Sequence, residues 1–306
     1  MPISSNIFTT IDLDKNKQQA LRYNIYMPQV NANWFPGHMK KALNNLKDII
    51  PKCDGVINIC DSRAPLSSLS FSLNILIGNK EKINIYSKSD LADKKRLNEI
   101  IERNNDSHTK SFVVNLNLKE SRNQIISYIE NIETKKDKKF LSLNFPKPIK
   151  YFVVIGIPNV GKSTLINLLS SNKKTKVENK PGLTRSEPLI KVKDKLYIYD
   201  SPGVLEPNYE DKNIMLNLAL IGSVKENIFP LDQLAEYLFN HINHLYPDML
   251  FNKYQISENN YYDFYNQLAL KNKMYLQNNN LDISRAMRFV LNELRNGKIG
   301  PVCLDE

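Results

Sequence analysis

The sequence predicts an α/β protein, with a doubly wound, mostly parallel sheet in residues 31–207 and an all-helical region in residues 208–306. Three observations predict it. Short apolar runs alternate with helical patterns from about Ala42 to Tyr199. One of those runs, residues 151–155, leads directly into Gly156-Ile157-Pro158-Asn159-Val160-Gly161-Lys162-Ser163, a complete G-x-x-x-x-G-K-[ST] pattern. Beyond Pro207 the strand signal fades and only helical spacing remains.

Taken in order, residues 1–30 are polar and unpatterned and read as an extension. Leu43, Leu46, Ile49 and Ile50 mark a helix, and Gly55-Val56-Ile57-Asn58-Ile59-Cys60 a buried strand. A helix is expected over 70–77, strands over 83–86 and 111–114, and a helix near 121–132. Lys135, Lys136, Lys138 and Lys139, closing on Pro146 and Pro148, read as a linker, either a solvated loop or an RNA contact. Strands follow at 151–155 and 195–199. Leu231, Leu234, Leu238 and Ile242 then mark a helix, and residues 284–294 another.

Composition narrows the classes. Hydrophobic residues make up 42% of the 306, enough for buried cores. A formal net charge of +10 and a pI of about 9.2 favour an acidic partner, although a Lys-, Asn- and Ile-rich chain also arises from an AT-rich genome. Cys53, Cys60 and Cys303 form no CxxC pair, which argues against zinc and structural disulfides. No stretch approaches 18 apolar residues and no leader pattern opens the chain, so the expected location is cytoplasmic, without a membrane.

The phosphate motif has a mechanical reading. Its glycines let backbone N–H groups curl around a phosphate, Lys162 reaches the β- and γ-phosphates, and Ser163 offers a hydroxyl to Mg²⁺. Asn159, Val160, Gly161 and Thr164 complete the loop and helix start. Asp200-Ser201-Pro202-Gly203 follows a strand about forty residues later, as a Mg²⁺ carboxylate (Asp200) and a γ-phosphate amide (Gly203) require. Thr184, in Pro181-Gly182-Leu183-Thr184-Arg185, is the candidate switch threonine and third Mg²⁺ ligand.

Base choice comes from an unusual place. No Asn-Lys-x-Asp follows Asp200; instead Ser87-Lys88-Ser89-Asp90 lies upstream, directly after a strand. Asp90 can accept two hydrogen bonds from guanine N1–H and N2–H₂, which adenine cannot supply, and the Lys88 stem can lie over the base. Val114-Asn115-Leu116-Asn117 offers the second base loop, through Asn115. A GTP site whose base motif precedes its phosphate loop is circularly permuted, which an α/β fold with neighbouring termini tolerates.

That order resembles the circularly permuted GTPases. Trp34-Phe35-Pro36-Gly37-His38-Met39-Lys40-Lys41-Ala42 and Asp61-Ser62-Arg63-Ala64-Pro65-Leu66-Ser67-Ser68 are similar to signatures of the bacterial RbgA (YlqF) ribosome-assembly family and its mitochondrial relatives. Ser284-Arg285-Ala286-Met287 and Leu294-Arg295-Asn296-Gly297-Lys298-Ile299-Gly300 resemble its closing helix. Over about residues 31–306, the resemblance implies a P-loop GTPase that acts late in assembly of the large ribosomal subunit. It implies GTP or GDP and that subunit with its rRNA as partners, and His38 as the water-positioning residue, since Val204-Leu205 replace the usual glutamine neighbourhood. It also implies Asn159 as a K⁺ ligand beside Mg²⁺. A monomer is expected. A GTP-loaded RNA-binding scaffold with little turnover is the alternative.

Three departures stand out. Ser87 replaces the usual Asn, which puts in question the hydrogen bond tying the base loop to the phosphate loop. Asn115-Leu116 replaces the common Ser-Ala, and residues 1–30 have no counterpart. Helical spacing of the closing segment sets Ile283, Ala286, Met287, Val290, Leu291 and Leu294 on one side. Arg285, Arg288 and Arg295 fall on another, with Lys298 beyond the end, as a candidate rRNA stripe.

Overall fold

The computed structural model describes residues 37–69, 77–78, 80–104, 109–170, 188–205, 209 and 211–306. Phe35–Glu306 form one compact unit. Its sheet region carries α1 (Gly37–Ile49), β1 (Gly55–Asp61), β2 (Glu81–Ser87), α2 (Lys94–Asn104), β3 (Thr109–Val113) and α3 (Lys119–Asn131). Then come α4 (Lys135–Ser142), β4 (Lys150–Ile155), α5 (Lys162–Leu169), β5 (Leu189–Lys193) and β6 (Leu196–Asp200). The expected helix at 70–77, apart from Ile77, and the extension at 1–30 lie outside the described residues.

Among the described residues the strands run β3-β2-β1-β4-β6-β5, all parallel except β5, which pairs antiparallel with β6. All seven positions of β1 are buried, the signature of a central strand covered on both faces. On one face Ala42, Leu46 and Ile49 of α1 pack with Val56, Val153, Ile155, Tyr197 and Tyr199. Strand order reverses between β1 and β4, so the loops leaving β1, β2, β4 and β6 converge on one carboxyl edge, where doubly wound sheets bind ligands.

Two elements correct the sequence reading. The Lys-rich stretch at 135–142 is a helix, not a linker, because Thr134 and Asp137 form a reciprocal capping box. The buried Lys150 ammonium then donates to the Ile129, Glu130 and Ile132 carbonyls at the end of α3. Strand β5 was not anticipated. It forms because Leu189–Lys193 folds back over the two-residue turn Asp194-Lys195 onto β6, and Lys191 and Asp194 pair across that turn at 2.9 Å.

The helical region comprises α6 (Lys212–Leu220), α7 (Leu231–Leu245), α8 (Met249–Tyr254), α9 (Tyr261–Lys271) and α10 (Ile283–Arg295). Side chains of Asp211, Asn260 and Asp282 accept backbone N–H groups and start α6, α9 and α10. Ala286, Met287, Val290, Leu291 and Leu294 of α10 are buried, as their spacing predicts. Each large apolar side chain among them contributes about 1.5–3 kcal/mol relative to exposure. The segment after α10 returns to the sheet region: Leu304 N–H donates to Arg63 O and Val302 N–H to Leu91 O.

Candidate nucleotide site

The phosphate loop spans β4 and α5. Gly161 precedes α5 with φ 98°, a left-handed conformation that an L side chain resists, and Asn159 adopts φ 62° just before it. Ser163 and Thr164 are exposed in the first turn of α5, where its N–H groups and partial positive charge favour an anion. Lys162 Nζ lies 3.9 Å from Asp200 Oδ1, so the phosphate lysine and the carboxylate ending β6 face one another. Gly203 rests on the loop: a Cβ there would stand 3.1 Å from Pro158 Cα and N. Val204 N–H donates to Gly156 O at 3.2 Å, and Val204 and Leu205 are buried apolar residues, unable to orient a water.

The base loop closes against the phosphate loop from β2. Here the structure corrects the concern over Ser87: its hydroxyl is buried and lies 2.5 Å from Val160 O and 3.0 Å from Cys60 O. The shorter side chain keeps the tie because the two loops approach closely. Lys88, at φ 56°, extends its ammonium to Asn159 O and Asp61 Oδ2, both at 2.8 Å, so its stem bridges the two loops. Asp90 is exposed at the rim. The Asn115 side-chain oxygen accepts Asn117 N–H at 2.9 Å.

The donor set suits a hard divalent cation: the Ser163 hydroxyl and the part-exposed Asp200 carboxylate would offer it oxygen atoms. A bound Mg²⁺ supplies charge neutralisation at the phosphates. Thr184 lies outside the described residues. His38 occupies the second position of α1, but its side chain is likewise outside them.

Sequence reasoning quoted Asp61 and Arg63 without assigning them a role. Both are buried, with Arg63 Nε and Nη2 donating to Asp61 Oδ1 and Oδ2 at 2.9 and 2.8 Å. Burial alone would raise the Asp61 carboxyl, but the bonds and charge of Arg63, reinforced by Lys88, hold it below the usual carboxylate range. The available signal was the placement of Asp61 at the end of a fully buried strand, where an acid needs a cation.

The arginine stripe also divides. Arg285, Arg288 and Lys298 are exposed. Arg295 instead turns inward, Nε donating to Leu220 O at 3.0 Å and Nη2 to Ala219 O at 2.6 Å. This corrects its placement with the solvent-facing arginines: the Ala219 and Leu220 carbonyls that end α6 accept its guanidinium.

Strand order, the phosphate loop, the upstream base loop and the glycine-capped Asp200 segment define a circularly permuted P-loop GTPase. The family described as "50S ribosome-binding GTPase" matches residues 151–257. Ribosome biogenesis GTPase A of Bacillus cereus is 30% identical over 275 residues, covering 89% of this chain and 93% of that protein. Mitochondrial GTPase 1 of Schizosaccharomyces pombe is 27% identical over 310 residues, covering 90% of each chain. The chain belongs to the ribosome biogenesis GTPase A family. GNP-bound YlqF from T. maritima shares the fold, with TM-score 0.61 at 22% identity over 87% of this chain and 98% of that one.

Proposed function

We propose that this GTPase binds the maturing large ribosomal subunit and couples GTP hydrolysis to a late step of its assembly. The observation that carries the reading is the span of the similarity. The match to ribosome biogenesis GTPase A covers 89% of the chain, and so takes in the helical region as well as the nucleotide loops. In this reading residues 31–207 form the GTPase part and residues 208–306 the ribosome-contacting part, with exposed Arg285, Arg288 and Lys298 as phosphate contacts.

His38 positions the attacking water, the role that buried Val204 and Leu205 leave open. Thr184 closes over Mg²⁺ with Ser163 and Asp200. Asn159 donates through Nδ2 to Gly222 O, which leaves its Oδ1 as the atom to meet K⁺. The apolar pair after Gly203 also favours a second reading, a GTP-loaded scaffold with little turnover.

One experiment separates the two: GTP hydrolysis with and without purified large subunits, for wild type and His38→Ala, in K⁺ and in Na⁺. Hydrolysis stimulated by subunits and cut about 10²-fold by His38→Ala supports the enzyme reading. Tight subunit binding with no stimulation in either salt supports the scaffold.

A further inference from the structure

At the carboxyl edge of the sheet, five segments distant in sequence close into one ring of hydrogen bonds. Lys88 Nζ, in the base loop, donates to Asn159 O in the phosphate loop and to Asp61 Oδ2 after β1, each at 2.8 Å. Asp61 is held by Arg63 on both carboxylate oxygens. Arg63 uses its remaining donor capacity on the helical region, Nη1 to Arg295 O at 2.9 Å and Nη2 towards Ile221 O at 3.5 Å. The next residue of that turn, Gly222, accepts from Asn159 Nδ2 at 2.7 Å and returns the ring to the phosphate loop. Arg295 seats the turn by holding the Ala219 and Leu220 carbonyls, and its Nε lies 3.5 Å from where a Gly222 Cβ would stand.

We propose that Asp61 and Arg63 are positioning residues that couple guanine-nucleotide binding to the seating of the helical region, so that each strengthens the other.

The physical argument runs through shared atoms. A guanidinium has one fork geometry, so Arg63 grips both Asp61 oxygens while keeping a donor for Arg295 O only when the ends of α6 and α10 are in place. Unseating them leaves a buried cation with unmet donors beside a buried carboxylate, a costly state. Asp61 in turn fixes the ammonium of Lys88, the residue that flanks the base. A nucleotide that occupies the base and phosphate loops immobilises Lys88 and Asn159, and thereby two of the ring's members. The remaining bonds then close at a smaller entropic cost, which is positive coupling without a large displacement. Linkage makes the effect reciprocal: the factor by which nucleotide protects the joint equals the factor by which a seated joint tightens nucleotide binding. The ring assigns work to the Asp61-Ser62-Arg63 segment and to Arg295 that neither phosphate chemistry nor RNA contact requires, and it holds whether or not the chain's partner is the large subunit.

The test uses the full chain, a non-hydrolysable GTP analogue and amide hydrogen exchange read by mass spectrometry. In wild type the analogue is expected to slow exchange in residues 219–224 and 292–298 by roughly 5-fold or more, the lower end of ordinary coupling factors. Arg295→Met, which removes the donors to the Ala219 and Leu220 carbonyls, should weaken analogue binding by a similar factor and remove that protection. Lys225→Met, an exposed change three residues beyond Gly222, should alter neither. Should Arg295→Met fail to fold, Arg63→Lys retains the charge beside Asp61 but lacks the fork, and is expected to show the same paired losses. Analogue affinity equal to wild type in a folded Arg295→Met or Arg63→Lys protein, or exchange at 219–224 indifferent to the analogue, overturns the proposal. A role confined to fold stability would lower the melting temperature without the matched loss of affinity and protection.

Discussion

At the nucleotide rim Asp90, Ser163 and Thr164 turn their side chains to solvent. One loop away, at the joint with the helical region, Asp61, Arg63 and Asp305 are all buried and hydrogen-bonded. The rim is built for a ligand and leaves its polar atoms to water. The joint is built for protein and spends them internally. Within the joint, the two buried acids are held differently. Asp61 has two cations, Arg63 and Lys88, and is held below the usual carboxylate range. Asp305 has neutral partners, the Leu66 and Ser67 N–H groups, the Ser67 hydroxyl and the Asn217 amide, and burial wins, pushing its carboxyl up. With burial common to both, the charge of the partners sets the direction in which each carboxyl moves.

The largest expected effect tests that difference. Asp61→Asn removes one side of a buried pair and should cost about 3–5 kcal/mol of stability at pH 7. Because its folded pKa is depressed, the Asp61 contribution is fully present above the unfolded value near 3.9 and lost as pH falls through the folded value. The gap between wild type and Asp61→Asn, measured by urea unfolding, should therefore narrow below about pH 4. Asp305 carries the opposite sign: its raised pKa makes its contribution largest in acid and lost as pH rises through that raised value. A gap that stays constant from pH 7 to pH 3 would show that Asp61 acts by shape alone.

Next in size is Lys162→Ala, the matching change at the rim. Lys162 is mostly shielded and faces Asp200, and the proposed role of its ammonium is to meet phosphate. GTP affinity should fall about 10²-fold, the usual cost of truncating one partner of a shielded charge pair, while urea stability changes by less than about 1 kcal/mol. A large stability loss with nucleotide binding retained would reverse the assignment of rim and joint.

The sequence disclosed the rim more completely than the joint, for a physical reason. Rim residues act through short contiguous motifs, in which spacing alone sets geometry: Gly156 to Ser163, Ser87 to Asp90, and Asp200 to Gly203 all sit at strand ends as their patterns require. The joint is made by residues far apart in the chain, such as Asp305 with Ser67 and Arg63 with Arg295, and no local pattern encodes such pairs. Charge misled twice in the same manner. The lysines of α4 concealed a capping box, and Arg295 concealed a tie from α10 to the end of α6. Strand β5 was missed because five residues ending in a two-residue turn carry little signal until β6 is there to pair.

The smallest expected effect concerns what remains of the arginine stripe. With Arg295 committed to the carbonyls of α6, the side chains of the closing helix that are free to meet phosphate are Arg285 and Arg288, with Lys298 beyond its end. Their exposure is also what a solvated helix face would show, so salt dependence is the measurement that separates the two. Each phosphate contact releases about 0.7–0.9 counterions, and a lost contact flattens the log–log salt slope of binding by about that amount. Arg285→Glu with Arg288→Glu should thus reduce the slope for large-subunit binding by about 1.4–1.8 units and weaken binding most at low salt. Stability and GTP affinity should stay unchanged, because neither side chain enters the ring around Asp61. Arg295→Glu should do the reverse, disturbing the joint by setting a carboxylate against the Ala219 and Leu220 carbonyls. Should the Arg285 and Arg288 double variant bind subunits with the wild-type slope, the stripe is a solvated face and carries no phosphate contact.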